Sequence, residues 1–434
     1  MRDFLKEIET KVLIYNGSTG YLLQKLGLKG GECGELWNIT NREAVKEVCR
    51  LYKEAGSDVI QTNTFPGNRI HLDKYALGDK TYEINYWGAK LAREVAGDDT
   101  LVAASIGPTG LLFEPSGELT FEKAYEVFKE QVKAVADGGV DIINFETFTD
   151  VAEMRAALLA AKENTNLPVI CSMAYEAGGR TLMGNDPLIA VSVLLSLGAD
   201  IAGTNCSFGA GHMLDIVKKM HSAGGGYLSV KPNAGLPELI DGKACYHETA
   251  EGFAGQAAEF ISYGARLVGG CCGTTPEYIS ALKDKIGKME AAPVKMRQKD
   301  IVTSGTKHLQ AAEIKADSMG KLDASADREL LDKLVEGDLS YVEDRVLDIS
   351  TEGFDAVLIK LDAANGKDDL LASIVTIAQS YIKEPLIIET SNSAALEKAL
   401  RIYKGIAGVI IGGEDTNKLK SLAERYGSVI INNI

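Results

Sequence analysis

The sequence predicts an α/β protein in which a (β/α)8 barrel is followed by a smaller α/β domain that resembles half a barrel. The chain has 434 residues, which is more than one ordinary domain requires. A helical segment, a glycine and a short apolar stretch recur along it, as in Asp137-Gly-Gly-Val-Asp-Ile-Ile143. Eight such apolar stretches fall within the first 290 residues, and eight parallel strands are the number that closes a barrel of this kind.

Each repeat is one step from a helix to a buried parallel strand. Glycine ends a helix by adopting the left-handed conformation at low cost, and a strand that is buried on both faces is continuously apolar. An open, doubly wound sheet is less favoured, because no Gly-x-Gly-x-x-Gly turn follows the first strand. The predicted strands are Val12–Gly17, Asp58–Thr64, Leu101–Gly107, Asp141–Thr147, Pro168–Tyr175, Ile201–Ser207, Tyr227–Asn233 and Arg266–Gly273.

We expect the barrel to occupy residues 1–290, an exposed linker 291–312 and the second domain 313–434. The linker has neither helical nor strand periodicity. Four apolar stretches after it predict a small parallel sheet. The last of them, Ser428–Ile434, has no covering helix in the sequence, so we expect an edge strand that pairs two copies into a homodimer.

The charge of the chain excludes several classes of partner. Its formal net charge is −15, which repels phosphate backbones and anionic lipids, so we expect neither nucleic acid nor a membrane surface as a partner. The first residues carry charges of both signs without an apolar core, unlike a signal peptide. We therefore expect a cytoplasmic protein, whose thiols stay reduced.

Three of the seven cysteines fall at the carboxyl ends of predicted strands six and eight, in Gly203-Thr-Asn-Cys-Ser207 and Gly269-Gly-Cys-Cys-Gly-Thr274. Barrels of this type place their chemistry at these ends. Glycines around Cys271 and Cys272 allow a bulge that turns both sulfurs to one side. Three thiolates would bind zinc and leave its fourth position open. Buried core cysteines and a vicinal disulfide are the alternatives that the spacing leaves open.

Zinc with three thiolates favours S-alkylation over hydrolysis. The site has a net charge near −1, which makes the ion a weak activator of water. It can still hold a substrate thiol as its thiolate at neutral pH, against an ordinary pKa of about 8.5. Such a sulfur is a good nucleophile towards an alkyl group.

These segments resemble the zinc signature of the homocysteine S-methyltransferases, a family of (β/α)8 barrels, and the resemblance covers about residues 8–287. Further matching segments are Thr62-Asn-Thr-Phe65, Ile106-Gly-Pro-Thr-Gly110, Phe145-Glu-Thr147 and Pro232-Asn-Ala-Gly235. The resemblance implies a methyltransferase that makes methionine from homocysteine, with one zinc ion on Cys206, Cys271 and Cys272. It also implies that homocysteine is bound by Asn16, Gly17, Ser18, Glu146, Asn205 and Asn233.

Within this set, Glu146 and Asn233 would lie near the substrate ammonium, and backbone N–H groups around Gly17–Ser18 near its carboxylate. One position departs from the family, because Asn16 stands where an aspartate is usual. The lost negative charge leaves room for a thiol other than homocysteine. A third hypothesis is a non-catalytic zinc-thiolate subunit that recruits a corrinoid protein.

The order of domains resembles the front half of cobalamin-dependent methionine synthases, in which a folate (pterin-binding) barrel comes second. Here the second domain is truncated and degenerate, with Lys360, Asp362 and Glu389 at strand ends where other pterin-binding groups are expected. No Asp-x-His-x-x-Gly segment for a corrinoid is present. We therefore expect neither folate nor cobalamin to bind this chain, and an external methyl donor, with the methylated corrinoid of a separate protein favoured over S-methylmethionine.

Overall fold

The computed structural model describes residues 2–114, 116–236, 238–240, 243–296, 299–364, 368–413 and 415–432. Contacts within the chain divide it into two compact units. The first unit comprises Met1–Met183 and Ala199–Arg297. The second comprises Gly184–Gly198 and Gln298–Ile434.

The first unit contains a parallel sheet of eight strands, in the order β1-β8-β7-β6-β5-β4-β3-β2. A parallel bridge between Tyr15 and Val59 joins its two ends, so the sheet forms a barrel. The predicted fold class is therefore confirmed. The strands are β1 (Leu13–Ile14), β2 (Val59–Gln61), β3 (Leu101–Ile106), β4 (Ile142–Phe148), β5 (Val169–Met173), β6 (Ile201–Gly209), β7 (Leu228–Asn233) and β8 (Ala265–Val268).

Helices alternate with these strands, and several of them are amphipathic. In Arg42–Glu54 the buried residues Val45, Val48, Cys49 and Tyr52 recur at helical spacing on the inner face. None of the helices in the described ranges is both long and apolar enough to cross a membrane. The first unit has helices Phe4–Thr10, Thr19–Lys25, Trp37–Thr40, Arg42–Glu54, Arg69–Asp73, Thr81–Ala96, Phe121–Asp137, Val151–Asn164, Ala210–Ser222, Ala250–Ala257 and Pro276–Ile286, and a hairpin of Glu238–Ile240 with Lys243–Cys245.

The second unit contains a smaller parallel sheet of five strands in sequence order. Its strands are Met319–Asp323, Ala356–Lys360, Leu386–Thr390, Gly408–Ile411 and Val429–Ile430. Its helices are Pro187–Ser196, Arg328–Glu336, Leu339–Thr351, Asp368–Tyr381, Ser393–Ile402 and Thr416–Arg425.

The small parallel sheet was predicted, but its first strand was not, so the expected count of four was wrong. Met319–Asp323 contains a glycine and a lysine and therefore shows no apolar run, although Met319, Gly320 and Leu322 are buried. Of the predicted last strand, Asn433 and Ile434 lie outside the described residues.

The segment predicted as an exposed linker, residues 291–312, contains regular structure. Ile301–Thr303 pairs antiparallel with His308–Gln310, and Thr303 also bridges Ile406. Val302 is fully buried in the apolar core of the second unit. The later part of this segment thus belongs to that unit. Its strands were not predicted because three residues are too few to show a periodic pattern in the sequence.

Candidate active site

The carboxyl ends of the barrel strands surround a cavity of about 410 Å³. Cys206, Cys271 and Cys272 all line it and are partly exposed. Their sulfur atoms lie within 4.8 Å of one another, and the Cys206 and Cys272 sulfurs are 3.9 Å apart. Three sulfurs bound tetrahedrally to one zinc ion at about 2.3 Å are about 3.8 Å apart. The three side chains therefore fit one zinc ion.

Unusual backbone conformations bring the three thiols to this place. Cys206 and Ser207, at the end of β6, have φ of 62° and 60°, a left-handed conformation that residues other than glycine rarely adopt. Beyond β8, a Cβ atom on Gly270 would lie only 2.2 Å from the Thr274 hydroxyl oxygen. Only glycine therefore allows the close turn that leads into Cys271 and Cys272.

Two buried asparagines hold the cysteine segments in position. The Asn205 amide oxygen accepts from the Thr147 N–H at 2.8 Å, while its amide nitrogen donates to the Thr147 hydroxyl at 2.7 Å and lies 3.8 Å from the Cys271 sulfur. The Asn233 side-chain oxygen accepts from the Cys272 N–H at 3.0 Å. The described residues that line the cavity include neither asparagine. Both were expected to bind substrate, and in this structure both support the thiols.

The three thiols share one negative charge readily. Hydrogen bonds from Cys271 and Cys272 lower the pKa of Cys206 to about 3. The interaction with Cys206 raises the pKa of Cys272 to about 11, and the same interaction together with burial raises the pKa of Cys271. A cluster that is already anionic attracts a divalent cation.

Glu146 lines the cavity as predicted, but it is paired with a lysine that the sequence analysis did not identify. One carboxylate oxygen accepts from the Ser105 hydroxyl and the other contacts the Lys231 ammonium. The side chains of Glu146 and Lys231 are 5% and 2% exposed. The Lys231 nitrogen also lies 3.5 Å from the Gln61 side-chain oxygen and 4.2 Å from the centre of the Tyr15 ring.

A second buried acid, Glu35, also lines the cavity and was not predicted. Burial raises its pKa to about 7, and the Cys33 sulfur lies 3.6 Å from its carboxylate. Glu35 lies in a short helical turn, Gly34–Leu36, far along the chain from any strand end. A rule based on strand ends could not find it.

Three predicted substrate-binding residues follow β1 closely, and only two of them face the cavity. Gly17 and Ser18 line the cavity, whereas Asn16 is buried behind it, with a side-chain oxygen that has no hydrogen-bond partner among the described residues. The Ser18 N–H donates to the Thr274 carbonyl at 3.1 Å. This N–H, expected near a substrate carboxylate, is thus already used within the protein.

Comparison with known proteins agrees with this geometry. The family model described as homocysteine S-methyltransferase matches residues 13–286. The methionine synthase of Mycobacterium leprae is 33% identical in an alignment 300 residues long, which covers 64% of this chain and 24% of that protein. The corresponding protein of Mycobacterium tuberculosis is 32% identical over 300 residues, or 25% of its length. The chain thus spans about a quarter of the curated relatives that it matches.

Solved structures with a similar fold include the homocysteine methyltransferase MmuM from Escherichia coli. Its metallated form has a TM-score of 0.54 and 22% identity, over 63% of this chain and 96% of that one. Its oxidized form has a TM-score of 0.53 at the same identity. At this identity the likeness concerns the barrel fold. Because the family model matches more than half of the chain, this chain belongs to the homocysteine S-methyltransferase family.

Proposed function

We propose that the protein transfers a methyl group to the sulfur of homocysteine, in a zinc-dependent reaction that yields methionine. The observation that carries this proposal is the convergence of three cysteine sulfurs, two of them 3.9 Å apart, in one cavity with the buried carboxylate of Glu146. Three sulfurs leave one tetrahedral position for a substrate thiol, which is typical of a reactive zinc site.

The residues around the cysteines would fix the position of that thiol. Cys206, Cys271 and Cys272 would hold zinc, which when bound lowers the pKa of a coordinated thiol below its ordinary value of about 8.5. Asn205 and Asn233 restrict the movement of Cys271 and Cys272 through their hydrogen bonds. Groups that orient metal ligands in this way commonly affect metal affinity 10- to 100-fold.

Glu146 would bind the ammonium group of homocysteine. The Ser105 hydroxyl holds its carboxylate in place, and burial strengthens a charged hydrogen bond because water does not compete. The thiol proton passes to solvent. The sulfur lone pair then forms the new S–CH3 bond as the bond between the methyl group and its donor breaks, and the electron pair of the broken bond stays with the donor.

As the methyl donor we propose the methylated corrinoid of a separate protein. Exposed leucines on three loops that follow barrel strands support a docking partner. Leu112, Leu182 and Leu236, which follow β3, β5 and β7, are 51%, 66% and 57% exposed. Loops that follow barrel strands lie on the same side of the barrel as the cavity, so these apolar side chains are available to a docking partner.

The test is methionine formation from homocysteine by zinc-loaded protein, with methylcobalamin and S-methylmethionine supplied separately. We expect methylation from methylcobalamin and little from S-methylmethionine. The reverse preference would refute the corrinoid donor, and no methylation from either, with one zinc ion bound per chain, would favour a non-catalytic subunit.

A second candidate is methylation of a thiol that lacks an amino group. The specific observation in its favour is that Lys231 already neutralises Glu146, while Asn16 replaces an acidic residue. Competition between homocysteine and 4-mercaptobutanoate, which lacks only the amino group, distinguishes the two candidates.

We further propose that the protein works in a reducing compartment such as the cytoplasm. We also propose that its second unit mediates self-association. Val429–Ile430 pairs with Gly408–Ile411 and is half-buried at the edge of the sheet. Sedimentation should show a dimer that Ile430→Lys dissociates. A monomer at all concentrations would contradict this.

A further inference from the structure

Lys231 is the one buried ammonium group among the described residues that line the barrel cavity. Lysine is almost never fully buried unless it is paired. Its partner Glu146 is equally buried, and both border the space in which a substrate would bind. Replacing a buried ion pair by apolar residues is often neutral or stabilising, so the stability of the fold is a weak reason for this pair.

The ammonium group of Lys231 is not saturated by strong acceptors. It has one carboxylate partner, Glu146, and it faces the Tyr15 ring at 4.2 Å. Its remaining contact, with the Gln61 oxygen at 3.5 Å, is beyond the usual range of a good N–H···O bond. A stronger acceptor in the cavity could displace Gln61 without breaking the ion pair.

An amino-acid headgroup needs a donor for its carboxylate, and among the described residues that line the cavity Lys231 carries the one buried ammonium group, the strongest kind of donor for that carboxylate. We propose that Lys231 binds the α-carboxylate of the substrate while Glu146 binds the α-ammonium. This inference rests on the proposed function. The pair then recognises the zwitterion as a whole. The Lys231 ammonium contacts the substrate carboxylate, and the Glu146 carboxylate contacts the substrate ammonium, so each of the four charges is next to charges of the opposite sign.

This arrangement predicts which thiols are excluded. The charges of Lys231 and Glu146 sum to zero, so a headgroup that also sums to zero leaves no charge uncompensated in the buried site. A thiol with only the ammonium is repelled by Lys231, and a thiol with only the carboxylate is repelled by Glu146. Lys231 is therefore a specificity-determining residue, and it permits amino-acid binding although Asn16 lacks a charge.

The test compares three thiols in the zinc-loaded protein with methylcobalamin: homocysteine, 3-aminopropane-1-thiol, which lacks the carboxylate, and 4-mercaptobutanoate, which lacks the ammonium. We expect the unaltered protein to prefer homocysteine over both. Lys231→Gln should lower kcat/KM for homocysteine about 10- to 100-fold through KM, the size of a lost hydrogen bond to a charged group. It should not lower kcat/KM for the aminothiol, because the substitution also removes the charge that repels its ammonium. Lys360→Gln, which removes an ion-paired lysine of the second unit, is the matched control and should change neither.

Two results would overturn the inference. One is an equal loss for homocysteine and the aminothiol in Lys231→Gln, which would mean that the lysine only holds Glu146 in place. The other is a preference of the unaltered protein for 4-mercaptobutanoate. If Lys231→Gln does not fold, the double variant Lys231→Gln/Glu146→Gln leaves no unpaired charge, and it should lose the preference for homocysteine over both analogues; retention of that preference would also overturn the inference.

Binding without turnover separates this inference from the proposed function. L-norvaline, butylamine and pentanoate carry a methyl group in place of the thiol of the three compounds. Calorimetry should show that the unaltered protein binds norvaline at least 10-fold more tightly than butylamine, and that Lys231→Gln abolishes this difference. This result would support the role of Lys231 even if no methyl transfer were found, and equal binding of norvaline and butylamine by the unaltered protein would refute it.

Discussion

The barrel and the five-stranded sheet both end their parallel strands in polar residues, yet these residues have different environments. In the barrel, Lys231 and Glu146 are 2% and 5% exposed beside a cavity of about 410 Å³. In the second sheet, Lys360 and Glu389 form an ion pair at 2.6 Å with 33% and 25% exposure. The adjacent Asp362 accepts hydrogen bonds from Thr390 and Ser391.

The difference follows from closure of the barrel. The bridge between Tyr15 and Val59 makes eight strand ends face a common axis, so that side chains from distant segments meet away from water. The five strands of the second sheet lie in sequence order without closing. The polar side chains at the ends of these strands pair with neighbouring side chains on the same edge of the sheet. Similar local sequences thus produce a buried site in one sheet and a solvated edge in the other.

The largest effect is expected from breaking the thiol cluster of the barrel. Cys206→Ala should lose most of the bound zinc and, with it, methyl transfer, because two sulfurs cannot replace three as ligands. Circular dichroism should show that the fold is retained. Cys49→Ala is the matched control, since Cys49 is buried on the helix Arg42–Glu54 and takes no part in the thiol cluster.

Full zinc content in Cys206→Ala would contradict the assignment of the site, as would an equal loss of zinc in the control. Metal analysis by mass spectrometry, after dialysis against a weak chelator, decides between these outcomes.

The two lysines provide the next comparison. Lys231→Met should lower the free energy of unfolding by about 3–5 kcal/mol, because it leaves the Glu146 carboxylate buried and unpaired. Lys360→Met should cost at most about 1 kcal/mol, because water solvates Glu389 when its partner is removed. Urea denaturation measures both. Equal costs would show that closure of the barrel does not create the difference.

The contributions of Glu35 and Asp362 to the stability of the fold should change with pH in opposite directions. Burial raises the pKa of Glu35 to about 7, so the folded state binds this proton more tightly than the unfolded chain does and loses stability as pH rises from about 4.5 to 7. Glu35→Gln should avoid this loss and gain about 2–3 kcal/mol over the unaltered protein between pH 4.5 and pH 8.

For Asp362, burial raises the pKa, but the hydrogen bonds from Ser391 and Thr390 outweigh it and the net pKa is lowered. Its stabilising effect is present above the ordinary pKa of about 4 and is lost as pH falls through the lowered value. Asp362→Asn should therefore destabilise the protein at pH 7, and this effect should diminish as the pH falls through the lowered pKa of Asp362. Parallel pH profiles for both variants would contradict this account.

The smallest expected effect concerns folate. Because Lys360, Glu389 and Asp362 are already paired, we expect no heat of binding when methyltetrahydrofolate is titrated into the protein. Micromolar affinity would show that the strand ends of the second unit form a site after all.

Much of the fold and the position of the thiol cluster could be predicted from the sequence, because a glycine followed by an apolar run indicates that a helix ends and a buried strand begins. The eight barrel strands and the meeting of Cys206 with Cys271 and Cys272 followed from that pattern and from the resemblance. The strand Met319–Asp323 could not be found, because its glycine and lysine interrupt the apolar run although Met319, Gly320 and Leu322 are buried.

The charge state of the cavity was harder to predict. Lys231 stands two residues before Asn233 on β7, a spacing that puts both side chains on one face of the strand. The sequence thus contained a signal for Lys231, but the side chain of a lysine within a strand is ordinarily expected to lie in solvent. Its pairing with Glu146 depends on a contact across 85 positions of sequence.

The central claim is that three cysteine sulfurs bind one zinc ion and leave a position that the substrate sulfur takes. X-ray absorption at the zinc edge tests it directly, with and without homocysteine. We predict three sulfur neighbours at about 2.3 Å and one lighter atom in the free protein, changing to four sulfurs on addition of homocysteine. Fewer than three sulfurs, or no change with homocysteine, would contradict the account.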